Sequence, residues 1–393
     1  MRARFLVGTV LLLVACGSAL AQGTVPPNLV ELINGRDRTE IPDKIELEKP
    51  VLTFQQQYLL RVRGSFSSKL IERGEVRHLQ ILTKVQDSEG HWLEGQDYDD
   101  FKIPENMRKR TLYYGAAIYL RPGRYRLGMA IFDVETRRAD VFHHDVVIEP
   151  MKNDPFPQID ASLPSVEFPD RLDRHWGFWR VGDKIGPIPV RPGKHTRLDV
   201  VLNITKRFRW DVLYRMDVQT MLESGSVLGR LRPGDGCVRV SVIDSLRLKV
   251  LLDRFPAEKL SWTRLQDAIE NINQEVIDVK VLANQQKVAT FTHDFLQELA
   301  RDKKRCGNES GPVTPMVVVV SPDVILPNGN KMDNLTPLER NSYVYIHVGY
   351  GNGWTDGMGQ ILSSGKPQRL TCTNAHDFRN AIAKIASAMS ADD

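Results

Sequence analysis

The sequence predicts a doubly wound α/β region with a mostly parallel sheet, preceded by an all-β, immunoglobulin-like sandwich. Three observations carry this. The run Arg197-Leu-Asp-Val-Val-Leu-Asn-Ile-Thr205 is short, apolar and rich in β-branched residues, as a strand buried on both faces must be. After it, apolar runs alternate with amphipathic helical stretches to about residue 390, which implies helices covering both faces of a parallel sheet. Before it, over 50–150, short runs of strand formers are separated by turn residues.

The chain of 393 residues has room for two or three domains. At its start, Arg2 and Arg4 precede an apolar run from Phe5 to Ala15 and then small residues, the order of an export leader. The run is too short for a stable membrane span. Ala19-Leu20-Ala21 fits cleavage after residue 21, while Leu13-Val14-Ala15-Cys16 resembles a bacterial lipobox that would leave Cys16 lipidated. Both outcomes place the mature protein outside the cytoplasm, in the periplasm or beyond it. Residues 1–21 hold two basic and no acidic side chains, so the formal charge falls from +4 to +2 without them. That balance gives no electrostatic reason to expect a nucleic-acid partner.

Residues 22–49 read as a loose leading segment. In the sandwich, 50–150, the candidate strands are Gln57–Arg63, His78–Val85, Thr111–Leu120, Tyr125–Asp133 and Asp140–Glu149. Arg121-Pro122-Gly123 is a turn, with proline fixing φ and glycine accepting positive φ. Seven prolines and the aromatic group Trp176, Phe178 and Trp179 mark 151–195 as a linker, its aromatics placed to pack the two domains together. In 196–390 the strand Leu198–Thr205 leads to a helix near Asp217–Arg232 that Pro233-Gly234 stops. A hairpin over Val238–Val242 and Leu246–Leu252 follows, then a helix from Ser261 and a strand over Val276–Leu282. Thr292 has the character of an N-cap, with Phe291 and Leu296 spaced as a hydrophobic staple. Met316–Val320 and Tyr343–Val348 are further buried strands, and a last helix starts at Asn374.

The order of elements over 196–390, opened by the apolar strand that ends in Asn203, Thr205 and Arg207, resembles a von Willebrand factor type A domain. With the sandwich and the Pro-rich connector before it, the chain looks like secreted bacterial proteins related to that family. Such domains commonly bind proteins, many through a divalent cation held by an Asp-x-Ser-x-Ser loop. Here Asn203 replaces the carboxylate, Thr205 keeps a hydroxyl, and Arg207 brings a positive charge to the third position. Hard cations want carboxylate, hydroxyl and water oxygens, and a guanidinium repels them. The family's later Thr-Asp-Gly corresponds to Ser321-Pro322-Asp323, with the aspartate displaced by one residue. The resemblance therefore implies a type A-like domain that has lost its ion, and the sequence calls for no metal and no cofactor.

At the end of a parallel strand, where ligands of open α/β sheets gather, Arg207 and Arg209 have two readings. They are a solvated basic loop, or they grip an acidic group on a partner bidentately in place of the ion. The candidate binding set is Asn203, Thr205, Arg207, Arg209, Ser321 and Asp323. His143 and His144 are adjacent on a strand and point to opposite faces, so they cannot chelate one ion. Ser224-Gly225-Ser226 lies in a helical stretch and lacks the strand-to-helix turn of a nucleophile elbow. Of the cysteines beyond the leader, Cys237 and Cys306 each precede a parallel strand and are paired as a disulfide, leaving Cys372 free. The functional expectation is an exported protein-binding or scaffolding protein rather than an enzyme. The rival is an exported hydrolase with an unrecognised site in the α/β region, since fold does not fix function.

Overall fold

The computed structural model describes residues 25–390 except 42, 67, 74–76, 104–110, 172–178, 192, 194–195, 205–211, 235, 274–284, 307–312, 323, 325–341 and 350–355. A short helix, α1 (Pro27–Ile33), opens on proline at its first turn, where the missing N–H has no helical partner to lose. Two five-stranded antiparallel sheets follow. One orders β1 (Arg38–Thr39), β9 (Ala139–Ile148), β8 (Gly123–Asp133), β5 (His78–Gln86) and β6 (Asp97–Lys102). The other orders β10 (Val166–Glu167), β7 (Leu112–Leu120), β4 (Tyr58–Phe66) and β2 (Asp43–Leu47), with β3 (Val51–Leu52) also on β4. Leu60, Val62 and Ile118 of one sheet meet Ile81, Leu127, Met129 and Ile131 of the other in a common core, so the two stack as a sandwich. Short helices α2 (Ser68–Glu72) and α3 (Gln158–Ser162) lie between strands.

Downstream come two small pairs. β11 (Asp170–Arg171) is antiparallel to β12 (Trp179–Arg180), and β13 (Ile188–Val190) is parallel to β15 (Leu231–Pro233). A six-stranded sheet then orders β17 (Lys249–Pro256), β16 (Cys237–Asp244), β14 (Arg197–Asn203), β18 (Pro315–Pro322), β19 (Ser342–Val348) and β20 (Gln368–Cys372). Every residue of β14 and β18 is buried, the apolar ones in the core and Arg197, Asp199 and Asn203 with hydrogen-bond partners. One face packs Val200 and Leu202 on α4 (Val212–Leu228), α5 (Trp262–Asn273) and, through Phe378 and Ile382, the last helix. The other packs Val201, Val317 and Val319 on α6 (Gln285–Arg301) and α7 (Gly357–Leu362). The last helix, α8 (Ala375–Ser390), has Asp377 in its first turn, where a negative charge favours the dipole.

The predicted fold class is corrected by this architecture. Strand dominates over helix, and ten of the fifteen strand pairings among the described residues are antiparallel. The chain is a β-rich mixed structure with stacked antiparallel sheets, not a doubly wound parallel α/β protein of the type A kind. The prediction gave too much weight to the fully buried apolar runs, which reveal burial on both faces but not the sheet partners that complete the structure. Local corrections follow the same lines. Leu231 lies in β15 and not in the preceding helix, which ends at Leu228. Thr292 caps nothing: α6 begins at Gln285, and Thr292 is buried within it. β20 and α7 had no counterpart in the sequence reading. The strand expected over Val276–Leu282 falls on residues 276–282, outside the described residues.

Candidate functional site

At the carboxyl ends of the central strands, Asn203 and Ser321 sit side by side because β14 and β18 run parallel in register from Arg197↔Pro315 to Leu202↔Val320. Asn203 Nδ2 donates to Ser321 Oγ at 2.9 Å, and Ser321 Oγ donates to the Pro322 carbonyl at 2.9 Å. Asn203 Oδ1 accepts from the Ser245 backbone N–H at 3.2 Å. Both side chains are fully buried. The pair is thus a neutral brace tying β14 to β18 and to the turn after β16. Thr205, Arg207, Arg209 and Asp323, the rest of the candidate binding set, lie outside the described residues. Among the described residues no group of three or more His, Cys, Asp or Glu side chains is placed to hold a metal ion.

The opposite, amino-terminal edge of the sheet is clamped covalently and ionically. Cys237 and Cys306 form a disulfide, with α-carbons 5.7 Å apart, that ties the start of β16 to the chain after α6. Next to it, Asp199 accepts from Arg197 Nε at 2.9 Å and from Arg239 Nε at 2.7 Å, and Arg239 Nη1 reaches Asp302 at 2.7 Å. Arg197 spends its remaining donors on the carbonyl of Leu299, an orphan acceptor in the last turn of α6, and on those of Asp302 and Lys304 just beyond it. Burial raises Asp302, but the Arg239 hydrogen bond and the Lys304 N–H outweigh it and leave the carboxyl below its usual value. Cys372, the free cysteine, is buried at the far end of β20, and burial pushes its thiol up to about 12, so it is not a ready nucleophile.

A third buried polar group lies where the sandwich meets the six-stranded sheet, and the sequence reading missed it. The turn Thr53–Gln57 between β3 and β4 is closed by backbone bonds between Thr53 and Gln57, with Gln56 at φ +70°. It inserts Phe54 against Phe378 of α8, ring centroids 5.4 Å apart. Its three glutamines, Gln55 to Gln57, are wholly buried. Gln55 Nε2 donates to Gln57 Oε1 at 2.6 Å and to Glu167 Oε2 at 2.9 Å, and Gln56 Nε2 reaches the Ala375 carbonyl at 3.3 Å. Glu167 Oε1 accepts from the Gly182 N–H at 2.9 Å. Gly182 has φ +97°, and a β-carbon there would press on Ser226, so glycine is required for this approach. Glu223 of α4 accepts from Gln219 Nε2 at 2.9 Å, from the N–H groups of Phe54 and Gln55, and from the Tyr119 hydroxyl.

Burial pushes Glu223 up to about 7 against these donors, and it raises Glu167 as well. Three adjacent glutamines between two apolar strands carry no mark of this burial, because polar turns are ordinarily exposed. The same junction is reinforced by Arg379 of α8, which grips Asp154 and, at 2.8 Å, Asp160. Close by, a cavity of about 10 Å³ lined by Gly182, Asp183, Ser226, Arg230 and Trp262 has room for about one water molecule and none for a substrate.

No family model matches the chain, and no curated protein does. Solved structures give distant similarities. One is a family 123 glycoside hydrolase from Clostridium perfringens: 8% identity, 84% of this chain, 72% of that one and a TM-score of 0.23. A glycosyl hydrolase family 2 member from Bacteroides cellulosilyticus DSM 14838 shows 6% identity, covering 82% of this chain and 37% of that one, with a TM-score of 0.19. A β-glucosidase from Listeria innocua shows 9% identity, covering 29% of this chain and 17% of that one, with a TM-score of 0.17. The chain therefore spans well under half of the last two. At these TM-scores the similarities carry no argument about fold or activity. No helix among the described residues is long and apolar enough to cross a membrane.

Proposed function

We propose that this chain is an exported protein-binding or scaffolding protein that works without a metal ion. The observation that supports this is the sealed junction between sandwich and six-stranded sheet. Leu59, Ala117 and Tyr119 of the sandwich share one apolar core with Leu198, Val200, Met221 and Phe378. The Gln55–Gln57 turn and the Arg379–Asp154–Asp160 ion pairs close the junction on its polar side. A continuous core holds two bodies in fixed relation, which suits a frame that presents surfaces to partners better than a hinge that closes on a substrate. Export rests on the basic, apolar and small-residue leader at 1–21.

The binding surface we assign is the carboxyl-terminal edge around β14 and β18, with Arg207 meeting an acidic group on the partner. The test is quantitative affinity purification from the native envelope, repeated with chelator, with Arg207→Ala and with Arg207→Lys. A stoichiometric partner retained in chelator, weakened roughly tenfold by Arg207→Ala and partly recovered by Arg207→Lys, supports the reading. A partner whose retention needs a divalent ion overturns the metal-free claim, and wild-type affinity in a folded Arg207→Ala protein removes this edge.

A further inference from the structure

The junction is well packed, yet it buries carboxylates without cations. Two carboxylates, Glu167 and Glu223, are buried there at 6% and 5% exposure. Neither forms an ion pair among the described residues. Their donors are backbone N–H groups, amide nitrogens and one hydroxyl. On the turn that faces them, Gln55 Oε1 and Gln56 Oε1 are buried without a hydrogen-bond partner. Gln55 shows the deficit most sharply: its amide nitrogen serves two acceptors, Gln57 and Glu167, while its own oxygen receives nothing. An unsatisfied buried acceptor of this kind is costly, and an ionised carboxylate without a cation is more so. Protonation removes that buried charge and leaves an acceptor oxygen for the donors already in place.

We propose that the junction between the sandwich and the six-stranded sheet is a proton-operated joint: protonation of Glu223 and Glu167 tightens it by removing buried charge that no cation pairs with among the described residues, and ionisation loosens it. The groups facing the two acids come from every element packed around them. Gln219 lies on α4, Tyr119 on β7, and the backbone of Phe54 and Gln55 on the turn before β4. Arg61 of β4 acts on Tyr119, while Lys184 and Asp183, of opposite sign, act on Glu167 from the 182–184 loop. Glu223 takes its proton at about 7 against an ordinary 4.5, so the closed joint binds more protons than the open one between these values. Closure is therefore strongest below 4.5, weakens as pH rises through the interval and is weakest above about 7. The Arg379 pairs and the shared apolar core keep the two bodies together throughout, so the joint loosens locally rather than dissociating.

Amide hydrogen exchange on the intact mature chain reads the joint directly, because Phe54, Gln55 and Gly182 donate their N–H groups to the two acids. After correction for the intrinsic pH dependence of exchange, protection at these amides falls with rising pH, by up to about tenfold per pH unit between 4.5 and about 7. Protection in the sandwich interior, at β8 for instance, stays flat. Glu223→Gln, which keeps the shape and stays neutral, reduces the slope at Phe54 and Gln55, while Gly182, which reports on Glu167, keeps its own. Carbon-13 titration of the Glu223 carboxyl in the wild-type chain is independent of any variant's folding, and a midpoint near 7 supports the joint. Uniform protection across the interval, an unchanged slope in Glu223→Gln, or a carboxyl titrating at its ordinary value overturns it.

Discussion

Two of the buried polar clusters among the described residues are built on opposite principles. At the amino-terminal edge of the six-stranded sheet, two guanidiniums face two carboxylates, and Arg197 also satisfies three carbonyls at the end of α6. At the junction, two carboxylates face amides, backbone N–H groups and one hydroxyl, and no cation pairs with either of them among the described residues. Matched charges make a permanent fastening whose loss is expensive, because removing one partner strands the others in a low dielectric. Unmatched acids make a contact whose strength depends on a proton. One cluster holds the sheet and the other can be adjusted.

The largest effect that tests this contrast is Arg197→Met. It leaves Asp199 with a single cation and orphans three carbonyls, so it lowers stability by about 3–5 kcal/mol, read from the midpoint of guanidinium unfolding at unchanged m-value. Adding Asp199→Leu recovers part of that loss if the penalty lies in the stranded charge. No recovery would mean that Arg197 works mainly by capping α6.

Next in size is the disulfide beside that cluster. Cys237 and Cys306 are 69 residues apart, and a loop of that length restricts the unfolded chain enough for the bridge to contribute up to about 4 kcal/mol. Cys237→Ala with Cys306→Ala lowers the melting temperature under oxidising conditions, and reductant then has no further effect on the variant.

Smaller, and of opposite sign at the two clusters, is the response to pH. Asp302 is held below its ordinary 3.8, so its contribution is present above that value and is lost as pH falls below it. Glu223 is held above its ordinary 4.5, so its contribution is present below that value and is lost as pH rises through about 7. Chemical unfolding across pH therefore gives a dome. Asp302→Asn flattens the acid limb, and Glu223→Gln flattens the limb towards neutral pH. A dome whose upper limb survives Glu223→Gln would assign that limb to another group.

How much of this was legible before folding depends on what makes each residue visible. β14 and β18 could be read because burial on both faces leaves a central run of apolar residues, Val200–Leu202 and Met316–Val320, and such a run needs no knowledge of its neighbours. β20 could not, because Gln368-Arg-Leu-Thr-Cys372 is an edge strand with two buried positions, below what a two-residue period can signal. Thr292 had the local marks of a cap, yet packing extends α6 seven residues upstream to Gln285, and tertiary contacts outweigh a single capping signal. Asn203 and Ser321 were singled out together from a motif, and they do meet, but as a brace between strands. The junction acids stayed hidden because their partners are distant in sequence: Gln55 and Glu167 are 112 residues apart, and nothing local marks either as buried.

The smallest predicted effect is no effect, and it bears on the carboxyl-terminal edge. A hard divalent ion at Asn203 and Ser321 would have to take oxygens that are already committed. Asn203 Oδ1 accepts from Ser245, its amide nitrogen points at Ser321, and the Ser321 hydroxyl donates to Pro322. Freeing them breaks buried hydrogen bonds worth about 0.5–1.5 kcal/mol each, and the oxygens so released are neutral. The sequence adds the positive Arg207 four residues beyond Asn203, which raises the electrostatic barrier further. An ion bound only by the folded chain would have to show itself by mass action, at about 2.7 kcal/mol when present at one hundred times its dissociation constant. Melting temperatures in excess magnesium, excess calcium and chelator therefore coincide. A metal-dependent rise would mean that the brace opens to admit an ion, and the carboxyl-terminal edge would then join the junction as a second adjustable contact.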